Sequence, residues 1–277
     1  MTGLLLLDKP EGITSFGAVA RVRRVLQTKK VGHTGTLDPM ATGVLPVLLG
    51  GATRFAALLP CHNKAYVAGL RLGVATDTYD STGKILAERP VTAAREDVER
   101  ALEPLRGSIM QVPPMYSALQ KDGVRLYDLA RQGIEIERAP RAVQIFLLEL
   151  LEGQSGDDYM LRVECTAGTY VRSLIRDLGE SLGCGACMTS LRRVQANGFG
   201  IAQCKTLEEI ASADVIPIDE ALRGYPAVEV TPAQAVRFRN GGALMRTRTA
   251  LPLSVAEGLF RVYANGGFVG LGRVQGD

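Results

Sequence analysis

From Val31 to Pro46 the chain reads Val-Gly-His-Thr-Gly-Thr-Leu-Asp-Pro-Met-Ala-Thr-Gly-Val-Leu-Pro, a stretch that no continuous helix can occupy. Gly32, Gly35 and Gly43 allow backbone angles that other residues resist. Pro39 pushes Asp38 toward an extended conformation and ends any helix there. The one acid of the stretch, Asp38, is thereby held in a loop and presented at a rim, as binding and reactive carboxylates commonly are. By residue chemistry alone, Asp38 is equally well read as an Asx residue stabilising its own turn.

Around this loop the pattern alternates irregularly between strand and helix. Leu4 to Leu7 reads as a buried strand, and Lys9-Pro10-Glu11-Gly12 as its turn. Thr14 or Ser15 then caps a helix whose Val19, Val22, Val25 and Leu26 recur at helical spacing. Val44 to Leu49 is a short apolar segment. Lys64 to Gly73 alternates like a strand, with Tyr66, Ala68 and Leu70 on one face. Thr76 to Gly83 is a polar loop, and Asp97 to Leu105 a helix. Val112 to Arg141 is a mixed insert with a Lys121-Asp-Gly turn and a helix through Leu126 and Leu129. Val143 to Leu151 and Tyr159 to Cys165 pair across a polar turn at Gly153 to Asp158. A helix then carries Leu174, Ile175, Leu178 and Leu182, and the stretch from Gly183 ends it. Leu207 to Leu222 is weakly helical and acidic. Leu259 to Tyr263 and Phe268 to Val274 form a hairpin over Asn265-Gly-Gly. This order predicts an α+β fold with a mixed or antiparallel sheet and flanking helices.

Length and charge narrow the classes further. A chain of 277 residues suggests two domains, and a hydrophobic share of 46% supplies a sizeable core. No apolar run approaches the roughly 18 residues of a membrane span, and no export signal is apparent. A cytoplasmic protein is the expectation. The five cysteines read as reduced thiols; Cys184 and Cys187 have metal-like spacing but no second pair, and sit as small residues near a helix end. Between Glu11 and Asp38 there is no acid, while Arg21, Arg23, Arg24, Lys29 and Lys30 all fall there. From Ala227 onward six arginines face three acids. Cations placed in this way suggest a polyanionic partner such as nucleic acid.

Several chemistries are set aside. Gly32-His33-Thr34-Gly35-Thr36 lacks the Gly-Lys-Ser/Thr ending of a phosphate loop. The two histidines, His33 and His62, supply no metal cage, and no nucleophile stands beside His33 for a triad.

An ordered series of motifs then identifies a resemblance. Lys9-Pro-x-Gly-x-x-Ser15 is followed by Gly32-His-Thr-Gly-Thr-Leu-Asp-Pro-x-Ala-Thr-Gly-Val-Leu45, by Lys64-x-Tyr66 and by Leu72-Gly-x-x-Thr-Asp-Thr-x-Asp80. Pro113-Pro-Met-Tyr-Ser-Ala-Leu, Gly123-x-x-Leu-Tyr-Asp-Leu-Ala-Arg131, Gly168-Thr-Tyr-Val-Arg172 and Leu191-Arg-Arg193 complete it. The set resembles the TruB family of tRNA pseudouridine synthases, with Gln195-Ala-Asn-Gly-Phe199 a looser version of the family pattern. The insert is similar to that of the bacterial type that acts as a lone protein.

The resemblance implies a catalytic domain over residues 1–224 with an RNA-binding insert at about 113–141. It also implies a small β-rich PUA-type RNA-binding domain over 225–277. The implied reaction detaches uracil from its ribose, rotates it and rejoins it through C5 at the T-loop uridine of tRNA conventionally numbered 55. It needs neither cofactor nor metal, no protein partner, and a monomer suffices. Asp38 corresponds to the essential aspartate, whether it attacks C1′ or removes the C2′ proton, and Arg172 to its partner. An ordinary Asp is already ionised at neutral pH, and a nearby guanidinium would hold it so. Tyr66 and Tyr170 match pocket tyrosines that stack on the extruded base, although Tyr66 on an apolar strand face also reads as core. His33 fills the gap left by the flipped nucleotide, Leu191 closes the pocket wall, and Lys9 supports the site or the RNA backbone.

Overall fold

A computed structural model describes residues 1–152, 156–249 and 257–274. The leucine run opens the fold as the strand Gly3–Lys9, and its unbroken apolar character follows from burial on both faces. Leu5 and Leu7 enter a core with Val19 and Val22, while Leu4 and Leu6 enter another with Leu59 and Leu222. Thr14 caps the helix Ser15–Val25 by accepting from Gly17 N–H. That helix buries Ala18, Val19 and Val22 and leaves its arginines in solvent.

Among the described residues the main sheet has nine strands. Its path runs Gly3–Lys9, Thr42–Leu49, Ala186–Ala196, Lys64–Leu72, Asp158–Cys165, Arg141–Leu150, Gly107–Gln111. Val31–His33 pairs to the side with Thr42–Leu49, and Phe199–Gly200 with Ala186–Ala196. All neighbours run antiparallel except Ala186–Ala196 against Thr42–Leu49, which is parallel at Arg192↔Thr42 and Arg193↔Gly43. The sheet is thus mixed and largely antiparallel, as the sequence pattern leads one to expect. Gly43 makes the parallel contact possible. Its φ is +101°, and a Cβ there would lie 2.2 Å from the Arg193 carbonyl oxygen. One face of the sheet, carrying Tyr66, Ala68 and Leu70, packs against Leu174, Ile175 and Leu178 of the helix Val171–Ser181.

Several elements differ from expectation. Asp97 to Leu105 divides into the helix Arg95–Leu102 and a 3-10 turn Glu103–Leu105, because Pro104 lacks the N–H needed to continue the ladder. Leu207 to Leu222 is not one weak helix: it holds a 3-10 turn Ser212–Asp214 and a short helix Ile218–Ala221. There Glu209 and Asp214 accept from the nearby N–H groups of Thr206 and Ala211, which gives the backbone an alternative to helix. Cys187 is not near a helix end but lies in the central strand Ala186–Ala196. That strand escapes pattern reading because Thr189, Ser190, Arg192 and Arg193 mask its position between two neighbours. Of the turn expected over Gly153 to Asp158, residues 153–155 lie outside the described residues.

The last segment forms its own sheet, with Ala227–Glu229 parallel to Gly258–Ala264 and the latter in a hairpin with Gly267–Val274. Val228, Val230, Ala235 and Val262 make a small separate core with the helix Pro232–Arg239. Phe268 and Leu271 also pack against the core that holds Leu222, and Tyr263 donates to Asp219 at 2.9 Å. These contacts join the segment to the body of the protein.

Candidate active site

The Asp38 loop is clamped from three sides. Ser15, in the first turn of its helix, accepts from Leu37 N–H at 2.8 Å and stands 3.0 Å from the Leu37 carbonyl. Gly12 N–H donates to the Pro39 carbonyl at 2.8 Å. From the opposite side Arg193 donates to the carbonyls of Val44 at 2.7 Å and Gly35 at 3.1 Å. The loop is a rigid mount built of backbone carbonyls and side-chain donors.

Asp38 faces a cavity of about 290 Å³ lined also by Lys64, Tyr66, Tyr170, Arg172 and Leu191. Arg172 stands in the first turn of the helix Val171–Ser181 and is 3.0 Å from Asp38 Oδ2. Its guanidinium also donates to the carbonyls of Thr78 and Tyr116 and lies 3.6 Å from Asp80 Oδ2. Thr78 and Thr82 donate in turn to Asp80 Oδ1, fixing that carboxylate behind the arginine. Burial pushes the Asp38 carboxyl above its ordinary value; Arg172 opposes that shift without cancelling it, and Asp80 adds to it. The sequence expectation of an ordinary carboxylate is therefore modified: the pocket makes Asp38 more basic than a free aspartate.

Tyr66 projects from the strand Lys64–Leu72 opposite Arg193, its register partner on Ala186–Ala196. It both lines the pocket and belongs to the apolar core, so the two readings of this residue coincide. Burial raises its phenol to about 12. Tyr170 caps the arginine-bearing helix; its backbone is held by Gln111, which accepts from Tyr170 N–H at 2.7 Å and donates to its carbonyl at 3.1 Å. The Arg141 guanidinium lies 5.3 Å from the Tyr170 ring centre. Leu191 supplies the apolar wall from the central strand.

Two expected residues are not gathered into this cavity. His33, on Val31–His33, is outside its lining, and its Nδ1 is buried with no hydrogen-bond partner among the described residues. Burial and then Arg193 lower its pKa, so the ring is neutral at neutral pH. Lys9 is fully buried, donating to the carbonyls of Pro10, Ile13 and Pro39. Of the roles expected for Lys9, this geometry favours support of the site over contact with the RNA backbone, because the ammonium is held on backbone carbonyls next to the Asp38 loop. Burial lowers its pKa to about 8 against the pull of Asp38.

Sequence reasoning missed Asp80, Arg193, Gln111 and Lys64. Asp80, Arg193 and Lys64 stood inside quoted motifs, where the recurrence of Thr and Asp or the doubled arginine was the available signal. Gln111 carried none.

A cavity with an arginine-paired aspartate in its lining, beside two tyrosines and a leucine, defines a site that could take a small planar ring against a carboxylate. Three family models match consecutive stretches that together span residues 23–277. They are the TruB family pseudouridylate synthase N-terminal domain over residues 23–171, the tRNA pseudouridylate synthase B C-terminal domain over 172–225, and the pseudouridine synthase II TruB C-terminal model over 226–277. The chain is 44% identical over 280 residues to tRNA pseudouridine synthase B of Azoarcus sp. (strain BH72), covering 99% of this chain and 91% of that one. It is 44% identical to the protein of the same name from Clostridium kluyveri, covering 98% and 95%. A solved Cbf5-Nop10-Gar1 complex contains a similar chain, with a TM-score of 0.73 and 28% identity over 98% of this chain and 78% of that one. This chain belongs to the TruB family of pseudouridylate synthases.

Proposed function

We infer that this chain isomerises a uridine of tRNA to pseudouridine, and that the uridine is the one conventionally numbered 55 in the T-loop. The observation that carries this reading is Asp38 at the cavity floor, 3.0 Å from the buried Arg172 and beside Tyr66. In this reading the T-loop uridine is extruded into the cavity, at a cost of a few kcal/mol of unstacking. Tyr66, Tyr170 and Leu191 receive the base, and stacking of about 1–3 kcal/mol per base offsets much of that cost. Arg172 favours the ionised form of Asp38 and aims it at the sugar, where the carboxylate engages either C1′ or the C2′ proton. His33, next to the loop in sequence, fills or props open the gap left by the flipped nucleotide in this reading.

The relatives named for tRNA support tRNA as substrate, and the exposed arginines and lysines between residues 21 and 30 suit its backbone. The chain acts as a single protein on that substrate, within the cytoplasm, with residues 1–224 as the catalytic part and 225–277 as a PUA-type RNA contact. Among the described residues no helix is long and apolar enough to cross a membrane. The test is incubation with unmodified tRNA transcript followed by nucleotide-resolved mapping of pseudouridine. Conversion confined to the T-loop uridine supports the reading; conversion elsewhere, or none, refutes it.

A further inference from the structure

Two cations converge on Gly35. Lys64 opens the strand Lys64–Leu72, shares a face with Tyr66 and lines the cavity that holds Asp38. A Cβ on Gly35 would lie 3.3 Å from Lys64 Cε and 3.5 Å from Arg193 Nη1, so the two side chains approach the loop together. Neither makes an ion pair among the described residues. Arg193 spends its donors on loop carbonyls. The Lys64 ammonium has no hydrogen bond within the described protein. The nearby carboxylate is already matched, since Asp38 is met by Arg172 and by Lys9.

A half-buried ammonium next to a second unneutralised cation is electrostatically unfavourable unless an anion joins it. Burial, followed by the Arg193 charge, lowers the Lys64 pKa, which is the direction such crowding dictates. The anion that base extrusion brings to this cavity is the phosphodiester flanking the moving nucleotide; uracil itself is neutral. Lysine suits a phosphate oxygen as a compact point charge, and Lys64 stands at the start of its strand in the cavity lining.

We propose that Lys64 is the anion ligand of this cavity and takes a phosphodiester oxygen adjacent to the extruded uridine, while Arg193 adds its field without contact. This rests on the pseudouridine-forming reading above. It makes Lys64 a substrate-positioning group whose binding energy is spent on holding the flipped nucleotide.

The test pairs the protein with T-arm RNA carrying an uncharged methylphosphonate at either linkage flanking the target uridine. A charge-assisted hydrogen bond is typically worth enough to predict that Lys64→Gln raises KM about tenfold or more with kcat within about threefold. Lys64→Arg, which keeps the charge, recovers most of that loss. At one of the two linkages, methylphosphonate weakens the unsubstituted protein by a similar factor and costs Lys64→Gln nothing more. Losses that multiply independently at both linkages overturn the proposal, as does Lys64→Arg performing no better than Lys64→Gln. The unsubstituted protein on unmodified RNA separates the two layers. Failure there refutes the functional reading, whereas conversion with independent losses refutes the lysine assignment alone.

Discussion

Replacing Arg172 by methionine removes the one cation that Asp38 and Asp80 share while keeping a long apolar stem in the helix. The guanidinium makes ion pairs of 3.0 and 3.6 Å and donates to two carbonyls, all of which vanish together. Removing one partner of a buried pair costs about 3–5 kcal/mol. The Asp38 side chain keeps 34% of its exposure, so solvent screens part of its share, and the lower end of that range is expected. The loss carries a pH signature. Asp38 already has a carboxyl raised by burial, Asp80 raises it further, and Arg172 is what opposes both. A carboxyl with a raised pKa favours the folded state below its unfolded value and loses that advantage as pH rises through its folded value. Arg172→Met lifts the folded value further, so its destabilisation is smallest in acid and grows toward neutrality, by about 1.4 kcal/mol for each added pKa unit. Urea unfolding of both proteins at about pH 5 and about pH 8 measures this. Adding Asp80→Asn, which removes the repelling charge, returns part of the loss at the higher pH. Equal destabilisation at both pH values, or no recovery in the double variant, refutes the argument that Arg172 is chiefly a counter-charge.

Asp38→Asn abolishes conversion while tRNA affinity, measured by filter binding, changes little; residual turnover within about tenfold of the unsubstituted protein refutes the assignment. Since burial raises the Asp38 carboxyl, kcat/KM falls on the acid side through an apparent pKa above 3.8, and a profile flat to that value contradicts the raised carboxyl. Tyr66→Phe, which deprives Arg193 of a buried oxygen, lowers kcat about tenfold or more with KM little moved; a variant that fails to fold by circular dichroism would assign Tyr66 to the core alone. Gly43→Ala forces a Cβ to within 2.2 Å of the Arg193 carbonyl oxygen at a φ of +101°. It costs about 2 kcal/mol or more in urea unfolding, with a loss below about 0.5 kcal/mol excluding the close strand contact.

Sequence by itself determined what depends on neighbours along the chain. The glycines and Pro39 fixed a loop around Asp38, Thr14 started its helix, the spacing of Leu174, Ile175 and Leu178 marked an apolar helix face, and Asn265-Gly-Gly turned a hairpin. These signals act within a few residues, where backbone sterics and side-chain period decide the outcome. Ordered motifs added the family, and with it Asp38, Arg172 and both tyrosines. Tertiary structure alone decided what those residues meet. The central strand Ala186–Ala196 enters between Thr42–Leu49 and Lys64–Leu72, bringing Arg193 to Tyr66 and to the carbonyls of the Asp38 loop. Asp80 reaches Arg172 from a loop remote in sequence, Gln111 holds Tyr170, and Lys9 turns inward beneath Pro39. No local pattern encodes these pairings, because they arise when strands and loops distant in the chain are brought together in the sheet. Burial, a property of the assembled fold rather than of any segment, then makes Asp38 a stronger base than its sequence alone implies.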